Sequence, residues 1–324
     1  MPSPVPATLK SFACRVAFGG SAAGASGEDP PTLRVAVAGL AGDSQETLLA
    51  AAGATTMRDD VWFFPGHDLC GGFGLARPDL SLEAATTDLY RRLFAATEGL
   101  HLYRFWNYVP HINACEDGFE NYRRFCRARS LAFEARFGKH FEPLLPSSSA
   151  VGASAGPLAV AFIAGTAAAR HFENPAQVPA FDYPPDHGPR PPSFSRATRV
   201  DTGATTHVFI SGTAAIRGHA TVAPGEWAPQ LECTLDNLRL IGQAAGVGAS
   251  LGAERSWQRS FKVYLRHPDD LRPVVSRLES GLLRPHDHVV YLHADICRTE
   301  LEVEIEASLV HRNSLPTGEN SARS

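Results

Sequence analysis

The sequence predicts an α+β fold in which mixed β-sheets carry helices packed on one face. Alternating apolar and polar residues indicate strands, as in the run LEVEIE at 301–306, and apolar residues three and four apart indicate helices between them. Strands and helices follow one another in an order that the first half of the chain sets and the second half repeats. We interpret this repetition as an internal duplication of one α+β module.

The first half begins with residues 1–30, whose proline, alanine, glycine and serine content predicts a flexible start. Residues 33–42 predict a strand and a turn, and residues 61–74 (VWFFPGHDLCGGFG) a glycine-rich loop beside an apolar edge. A helix then begins at Ser81, a favoured N-cap residue, and ends at Gly99, a favoured stop. The remaining elements of this half are a strand from His101 that ends at Pro110, a helix at 118–138 with Leu131 among its apolar side chains, and two strand-like runs within 144–166.

A proline-rich stretch, residues 171–200, separates the halves and favours an extended path. It also carries aromatic and cationic residues that a plain linker does not need, so a contribution to a site stays open. The elements predicted after it are strands within 207–222 joined by a tight turn at 211–213, a helix at 234–246, a strand at 260–270, a helix at 270–283 interrupted by Pro273, and a closing hairpin of 287–297 with 300–309.

These boundaries predict four parts of the chain. They are an N-terminal module with a flexible start at 1–170, a connector at 171–200 that contributes to the site, a C-terminal module at 201–312 that carries the chemistry, and a disordered tail at 313–324. The two modules correspond helix for helix and strand for strand, although they share little sequence identity.

Composition narrows the possible functions. The chain has 324 residues, of which 44% are hydrophobic and 20% charged, which is ordinary for a globular protein. The net charge of -4 gives no reason to expect nucleic acid or an anionic membrane as a partner. The sequence contains no run of eighteen apolar residues, so it predicts no transmembrane helix. The first residues also lack the pattern of a signal peptide.

The six cysteines are scattered without a CxxC pair, and among the histidines only His286 and His288, in RPHDHVV, form a weak candidate metal pair, for which we prefer a solvated turn. We therefore expect free thiols in a cytoplasmic protein, with neither a metal nor a cofactor.

The closing segment holds the candidate chemistry. Alternation places Glu302, Glu304 and Glu306 on one face of a half-buried strand, and Cys297 stands on the strand before it. The three carboxylates can simply be a solvated face or ion-pair partners. A thiol and a carboxylate that meet across a hairpin would instead form an acid–base site.

The second half, about residues 205–310, resembles the YjgF/RidA family. The matching pieces are FISG at 209–212, QLECTLDNLRLIGQAAG at 230–246, VYLRHPDDL at 263–271 and VEIEA at 303–307. The resemblance implies two YjgF/RidA-like modules and places Cys297 and Glu304 in a small-molecule pocket. Asp295 stands where that family has a carboxylate-gripping arginine, so we do not expect an imine deaminase of the RidA type.

The whole chain is more similar to the chorismatases, enzymes that act on chorismate and have a YjgF-like core. The residues that carry this resemblance are RFWNYVPHIN (104–113), GFENYRRFCRAR (118–129), FDYPPDHGPRPPSFSRA (181–197), SGTAAIRGHAT (211–221), KVYLRHP (262–268) and VEIE (303–306). The resemblance implies an enzyme that cleaves the enolpyruvyl ether of chorismate. The expected products are pyruvate and 3-hydroxybenzoate, with some 4-hydroxybenzoate allowed.

The resemblance also implies roles for individual residues. Glu304 would be the general acid, and Cys297 would select the product. The residues expected to bind the substrate are Arg129, Arg196 and Arg266 as cations, Tyr183, Tyr122 and Asn107 as hydrogen-bonding or shaping groups, and Ala214 and Ala215 as part of the pocket wall. Two alternatives stay open: hydrolysis of chorismate to a dihydroxycyclohexadiene carboxylate, and a non-catalytic ligand-binding protein. A homotrimer and a monomer are both compatible with the two-module chain.

Overall fold

The computed structural model of the chain describes residues 13–21, 23–27, 31–253 and 256–313. Residues 1–12 of the predicted flexible start and nearly all of the predicted tail lie outside these ranges. Within the predicted flexible start, residues Ala13–Phe18 form a strand instead, because Cys14, Val16 and Phe18 alternate along it and bury their side chains in a core.

The described chain opens with a series of strands. They are β1 (Ala13–Phe18), β2 (Gly24–Ala25), β3 (Leu33–Val35), β4 (Ala38–Ala41), β5 (Gln45–Ala50), β6 (Thr56–Arg58), β7 (Val61–Pro65) and β8 (Leu69–Leu75). The predicted glycine-rich loop at 61–74 is thus a pair of antiparallel strands. Its glycines belong to the strand interior, since a side chain at Gly72 would collide with the ring of Phe162 on the neighbouring strand.

The rest of the first half follows the predicted order. Its elements are α1 (Leu82–Ala96), β9 (His101–Pro110), β10 (Cys115–Glu116), β11 (Phe119–Glu120), α2 (Asn121–Phe137), β12 (Ser147–Ala153) and β13 (Ala159–Gly165). Ser81 caps α1 and Gly138 ends α2 with a positive φ, as the sequence predicts. Leu131, expected on the apolar side of α2, is 45% exposed instead.

The second half contains β14 (Ala169–Phe172), β15 (Ala197–Asp201), β16 (Thr205–Ala214), β17 (Ile216–Arg217), β18 (Ala220–Thr221), α3 (Trp227–Ala244), β19 (Trp257–Leu265), α4 (Leu271–Gly281), β20 (His288–His293) and β21 (Val303–Arg312). Pro273 does not interrupt α4, because it stands in the first turn, where its missing N–H has no helical partner to lose. In the described part of the chain, none of the helices combines the length and the apolar character needed to cross a membrane.

The two halves have the same topology. The first sheet contains the order β12-β9-β13-β8-β7, and the second contains β20-β19-β21-β16-β15. In both, the pair joined by a crossover helix is parallel and the other pairs are antiparallel. The predicted duplication of one α+β module is therefore visible in the strand order, whereas the predicted limits at 170 and 200 stay a prediction.

The predicted closing hairpin is wrong. β20 pairs in parallel with β19, and β21 pairs antiparallel with the opposite side of β19, so β19 lies between them. Helix α4 dictates this arrangement, because a strand–helix–strand crossover places its two strands side by side and parallel. The chain must then pass over the end of β19, and it does so in residues 294–302, the segment that carries Cys297.

Each of these two sheets packs helices on one face and the other sheet on its second face, while β2, β3, β1 and β5 form a separate four-stranded sheet. On β9, Phe105 and Val109 join the core beneath α1 and α2, while Arg104 points towards the second sheet. On β21, Val303 and Ile305 join the core beneath α3 and α4, and Glu304 and Glu306 point towards the first sheet. Both faces of β21 are consequently buried, and the expectation of a half-buried strand is wrong.

Candidate active site

A cavity of about 370 Å³ opens where α2, the connector, β16, the 294–302 segment and β21 meet. Among the residues singled out from the sequence, those that line it are Glu304, Cys297, Arg129, Arg196, Tyr183, Tyr122 and Ala214. They come from five separate parts of the chain, so the fold brings together what the sequence separates.

Glu304 lies at the wall of this cavity with 3% of its surface exposed. Within the described residues, its Oε1 has no hydrogen-bond partner. Burial, and next the negative charge of Glu306, raise the pKa of Glu304 to about 8, against the opposing influence of Arg104 and Arg196. Glu304 therefore holds a proton at neutral pH and can donate it into the cavity.

A β-bulge gives this carboxyl its space. One extra residue of β16 lies between the pairs Ile210–Ala307 and Thr213–Ile305, so the predicted tight turn at 211–213 is a bulge within a continuous strand. Gly212 stands in the bulge, and a Cβ there would lie 2.0 Å from Glu304 Oε1. No side chain fits beside Glu304 at this position.

Glu306, two residues further along the same face of β21, has the opposite environment. It accepts hydrogen bonds from Trp106 Nε1 at 2.6 Å and from Arg104 Nη2 at 2.8 Å, and its Oε1 lies 2.9 Å from Lys262 Nζ. Burial would raise the pKa of Glu306, but Lys262 and Arg104 outweigh it and hold the pKa below its ordinary value. The sequence left a solvated carboxylate and an ion-pair partner open for Glu306, and the structure shows an ion pair with Arg104 and Lys262.

Glu302 is separate from this cavity. It precedes β21, and its Oε2 lies 3.1 Å from His267 Nε2. It does not share the environment of Glu304 and Glu306, because residues 301 and 302 belong to the incoming segment rather than to the strand.

Arg129 provides a cation without a counter-charge. It is 3% exposed, donates from Nε to the Tyr90 hydroxyl at 2.7 Å and from Nη1 to the Ser193 carbonyl at 2.6 Å. In the described ranges its Nη2 has no partner, and no carboxylate forms an ion pair with it. A buried guanidinium of this kind is stabilised when an anion enters the cavity.

Arg196 is held from the connector side. Its Nη2 donates to the Tyr183 hydroxyl at 2.8 Å, and its guanidinium lies 5.0 Å from the centre of the Phe194 ring. Glu173 Oε2 is 3.9 Å from Arg196 Nε, a weak ion pair. Burial raises the pKa of Glu173 to about 7, although Arg196 opposes the rise. The proline-rich connector therefore forms one wall of the cavity.

Cys297 reaches the cavity from the 294–302 segment. Burial, and next the charge of Glu304, raise the pKa of the Cys297 thiol to about 12, although Arg298 opposes the rise. The thiol is neutral at physiological pH, so it can donate a weak hydrogen bond or fill space, and it is not a thiolate nucleophile.

Sequence comparisons identify relatives of this chain. Residues 48–164 match the sequence model of a family described as "Chorismatase FkbO/Hyg5-like, N-terminal". A 3-hydroxybenzoate synthase from Streptomyces hygroscopicus is 35% identical over 266 residues, which cover 78% of this chain and 75% of that protein. A chorismatase from Streptomyces rapamycinicus is 40% identical over 248 residues, which cover 72% of this chain and 73% of that protein.

The chain belongs to the chorismatase family. A solved crystal structure of a chorismatase has the same fold, with a TM-score of 0.78 at 29% identity, over 94% of this chain and 95% of that one. The predicted family and the predicted α+β fold class are thereby confirmed. The matched region also includes residues 48–99, where the sequence alone offered few recognisable chorismatase motifs.

Three of the predicted site residues of this chorismatase do not line the cavity. Arg266 donates to the carbonyls of Leu301 and Arg298, both at 2.8 Å, and pairs with Asp295 at 2.6 Å. It thus fixes the segment that carries Cys297. Ala215 is fully buried behind the neighbouring Ala214.

Asn107 of this chain also lies behind the cavity wall and does not line the cavity. It accepts a hydrogen bond from the Tyr90 hydroxyl at 2.5 Å, and Tyr90 in turn accepts one from Arg129. Its amide nitrogen donates to the Ser149 carbonyl at 2.8 Å. Asn107 therefore positions both Arg129 and the cavity wall.

Several residues that line the cavity of this chain were not among the predicted site residues. Arg298 follows Cys297 directly, lies 5.5 Å from the centre of the Tyr183 ring and donates to Thr221 Oγ1 at 3.0 Å. Ser149 accepts a hydrogen bond from the Gly212 N–H at 2.9 Å and donates to Glu306. The position of Arg298 beside a candidate cysteine was a usable signal, whereas nothing in the sequence distinguishes Ser149 from the serines around it.

Proposed function

We propose that this chain cleaves the enolpyruvyl ether of chorismate and releases pyruvate and 3-hydroxybenzoate. The observation that carries the proposal is a proton-bearing carboxyl, Glu304, in a cavity that also contains Arg129, a buried cation that pairs with no carboxylate of the described residues. The name of the Streptomyces hygroscopicus relative, a 3-hydroxybenzoate synthase, supports the same product.

Chorismate carries two carboxylates, and the cavity offers arginines from separate elements to hold them. Arginine suits this task because its planar fork donates paired hydrogen bonds to a carboxylate. Arg129 on α2 and Arg196 at the end of the connector are the proposed anchors, and Tyr183 supports Arg196. Binding at two ends fixes the enol ether in one orientation with respect to Glu304.

Glu304 then acts as the general acid. Its proton is transferred to the methylene carbon of the enolpyruvyl group, and the adjacent carbon becomes an oxocarbenium centre. The bond between the ether oxygen and the ring carbon breaks, and that oxygen becomes the ketone oxygen of pyruvate. The Glu304 carboxylate left behind is available to take up a proton again.

The ring completes the reaction without water. As pyruvate leaves, the neighbouring ring hydroxyl attacks the carbon that loses the ether and gives up its proton, which forms an arene oxide. The bond from the oxide oxygen to the carbon that bore the hydroxyl then breaks, and the oxygen takes up a proton. The carbon that lost the ether keeps this oxygen and gives up its own proton, which yields 3-hydroxybenzoate. Chorismate and the two products together have the same atoms, so no oxidant or water molecule is consumed. The neutral Cys297 thiol, which lines the cavity, would assist this rearrangement.

The activity should fall at alkaline pH. Because the raised pKa of Glu304 is about 8, the proton-bearing form predominates below that pH and is lost above it. We expect kcat/KM to fall about tenfold per pH unit above pH 8. Initial rates of pyruvate release from pH 6 to 10 at constant ionic strength measure this. A rate that instead falls on acidification through pH 5 would mean that an ionised carboxylate is required.

Cys297→Ala should shift the products towards the dihydroxycyclohexadiene carboxylate by severalfold. The smaller side chain leaves space for water beside the ring, so that hydrolysis competes with rearrangement. Chromatography of the ring product at equal pyruvate release measures the ratio. Cys70→Ala is the matched control, since Cys70 is a buried thiol of β8 whose Sγ contacts the Ala164 carbonyl outside the cavity. An unchanged ratio in Cys297→Ala removes the proposed role.

Gly212→Ala should lower kcat by about 10²-fold, because a displacement of the acid by about 1 Å has an effect of that order. The added methyl would require Glu304 Oε1, only 2.0 Å away, to leave its position. Gly39→Ala on β4 is the control, since a Cβ there meets no atom within 4 Å. Equal kcat values for the two variants would show that the position of Glu304 does not depend on the bulge.

The proposal is tested by incubating the purified protein with chorismate and coupling pyruvate to lactate dehydrogenase. Pyruvate together with an aromatic phenol is expected. Pyruvate with a diene acid would select the hydrolytic alternative, and binding of chorismate without pyruvate would select a non-catalytic binding protein. The cytoplasmic location and the choice between homotrimer and monomer stay predictions, which cell fractionation and light scattering test.

A further inference from the structure

A cluster of buried charges lies between the two sheets, and the proposed reaction does not use it. Glu306 is at its centre, in contact with Arg104 at 2.8 Å and with Lys262 at 2.9 Å. Lys262 also contacts Glu46 Oε2 at 2.5 Å. These four side chains are between 1% and 9% exposed, and they come from β5, β9, β19 and β21.

The cluster is balanced without Glu304. Two cations face two carboxyl groups, and both cations are in direct contact with a carboxylate. Glu304 is on the same face of β21 as Glu306, two residues away, yet Glu304 Oε1 finds no hydrogen bond among the described residues. If Glu304 were also ionised, each cation of the cluster would already be in contact with another carboxylate.

Ser149 joins the cluster to the wall of the cavity. Its hydroxyl donates to Glu306, receives a hydrogen bond from Arg104 and accepts one from the Gly212 N–H at 2.9 Å. Gly212 in turn lies against Glu304. The charge of Glu306 is thus fixed in place by groups that also form the surroundings of the acid.

We propose that Glu306 is a positioning residue for the reaction: its fully partnered negative charge acts together with burial to keep the neighbouring Glu304 carboxyl in the proton-bearing form. Arg104 and Lys262 fix that charge, because both are in direct contact with the Glu306 carboxylate. This role rests on the proposed function for its use in catalysis, but the protonation of Glu304 is a property of the free protein.

Other groups act on the pair from every packed element. The titratable or charged ones are Glu46 from β5, Arg104 and Tyr108 from β9, Lys262 and Tyr264 from β19, Arg196 from the end of the connector, and Cys297 from the 294–302 segment. Arg196 and Arg104 favour an ionised Glu304, whereas Glu306 opposes it. Removal of the Glu306 charge leaves the effect of burial, which raises the pKa of Glu304, opposed by these two cations.

The test is an infrared pH titration of the ligand-free full chain, followed at the C=O stretch of protonated carboxyl groups. The band that disappears in Glu304→Gln belongs to Glu304. We expect its midpoint to fall by about one pH unit or more in Glu306→Gln, since a nearby charge shifts a carboxyl by that amount. In Lys262→Met the midpoint should not fall, because a cation is lost while Arg104 still holds the Glu306 charge. The kcat/KM of Glu306→Gln at pH 9 should then be about tenfold lower than that of the wild type.

Asp287→Asn is the matched control for damage to a buried ion pair. Asp287 pairs with Arg259 in the same half, both are at most 5% exposed, and neither lines the cavity. It should leave the Glu304 midpoint unchanged. If Glu306→Gln does not fold, the double variant Glu306→Gln/Lys262→Met replaces it and should also have a lowered midpoint.

Two results would overturn the proposal. One is a Glu304 midpoint in the Glu306 variant equal to that of the wild type. The other is an equal fall in Glu306→Gln and Lys262→Met, which would mean that water enters whenever the cluster is disturbed. Absence of pyruvate release from chorismate would remove the proposed function, but it would leave the outcome of the titration readable.

Discussion

Glu304→Gln should abolish pyruvate release from chorismate, with kcat reduced by about 10²–10⁴-fold, the usual contribution of a general acid. Glutamine keeps the size and polarity of the protonated carboxyl but has no acidic proton to transfer. The coupled pyruvate assay measures the loss. Glu302→Gln is the matched control: it makes the same chemical change two residues away, where the side chain contacts His267 outside the cavity.

The loss in Glu304→Gln should not come from unfolding. The pKa of Glu304 is raised on folding, so its stabilising protonated form is complete below the ordinary pKa of 4.5 and is lost as the pH rises through about 8. A neutral glutamine avoids this loss. The free energy of unfolding of Glu304→Gln, from denaturant titration at pH 8 to 9, should therefore equal or exceed that of the wild type. Normal turnover by this variant would remove Glu304 from the mechanism.

Arg129→Met should lower kcat/KM by about 10²-fold or more, since truncating one partner of a buried charge pair costs about 2–5 kcal/mol. The reason is that Arg129 has no carboxylate partner of its own within the described residues, so the substrate carboxylate is its proposed counter-charge. The loss should appear mainly in KM, because the contact is made before the proton is transferred. Steady-state kinetics with chorismate measure both constants.

Arg92→Met is the control for Arg129→Met. Both arginines are 3% exposed, but Arg92 already has a partner, Asp88, at 2.8 Å. Arg92→Met should lower stability and leave kcat/KM of the folded protein unchanged, because it abandons a carboxylate. Arg129→Met should lower kcat/KM with less loss of stability, because it abandons no charge. The reverse pattern would place the role of Arg129 in folding.

The elements of the fold were largely predictable from periodicity, whereas the pairing of strands was not. Ser81 and Gly138 mark the helix ends by local chemistry that any sequence window contains. The partner of β21 is decided by α4, which carries β20 to the far side of β19. Two strands that are neighbours in sequence looked like a hairpin because nothing local reports a crossover.

The burial of Glu304 and Glu306 also could not be predicted from the local sequence pattern. Alternation at 301–306 correctly separates Val303 and Ile305 from Glu304 and Glu306, but it does not tell what covers each face. The cover of the glutamate face comes from β9 and β12, about 150–200 residues earlier, through Arg104, Trp106 and Ser149. The resemblance to chorismatases ranked the glutamates, and the physical difference between them depends on these distant contacts.

The duplicated topology divides the functional groups of the candidate site between the two halves of the chain. The second half carries the acid, the thiol and the bulge, while the first half presents to them a sheet with Arg104 and Ser149 and a helix with Arg129. A second half on its own would leave Glu304 open to water, where a carboxyl is ionised at neutral pH. The proton of the proposed acid is thus held on the second module because the first module covers Glu304, and the proposed acid lies at the interface between the two duplicated modules.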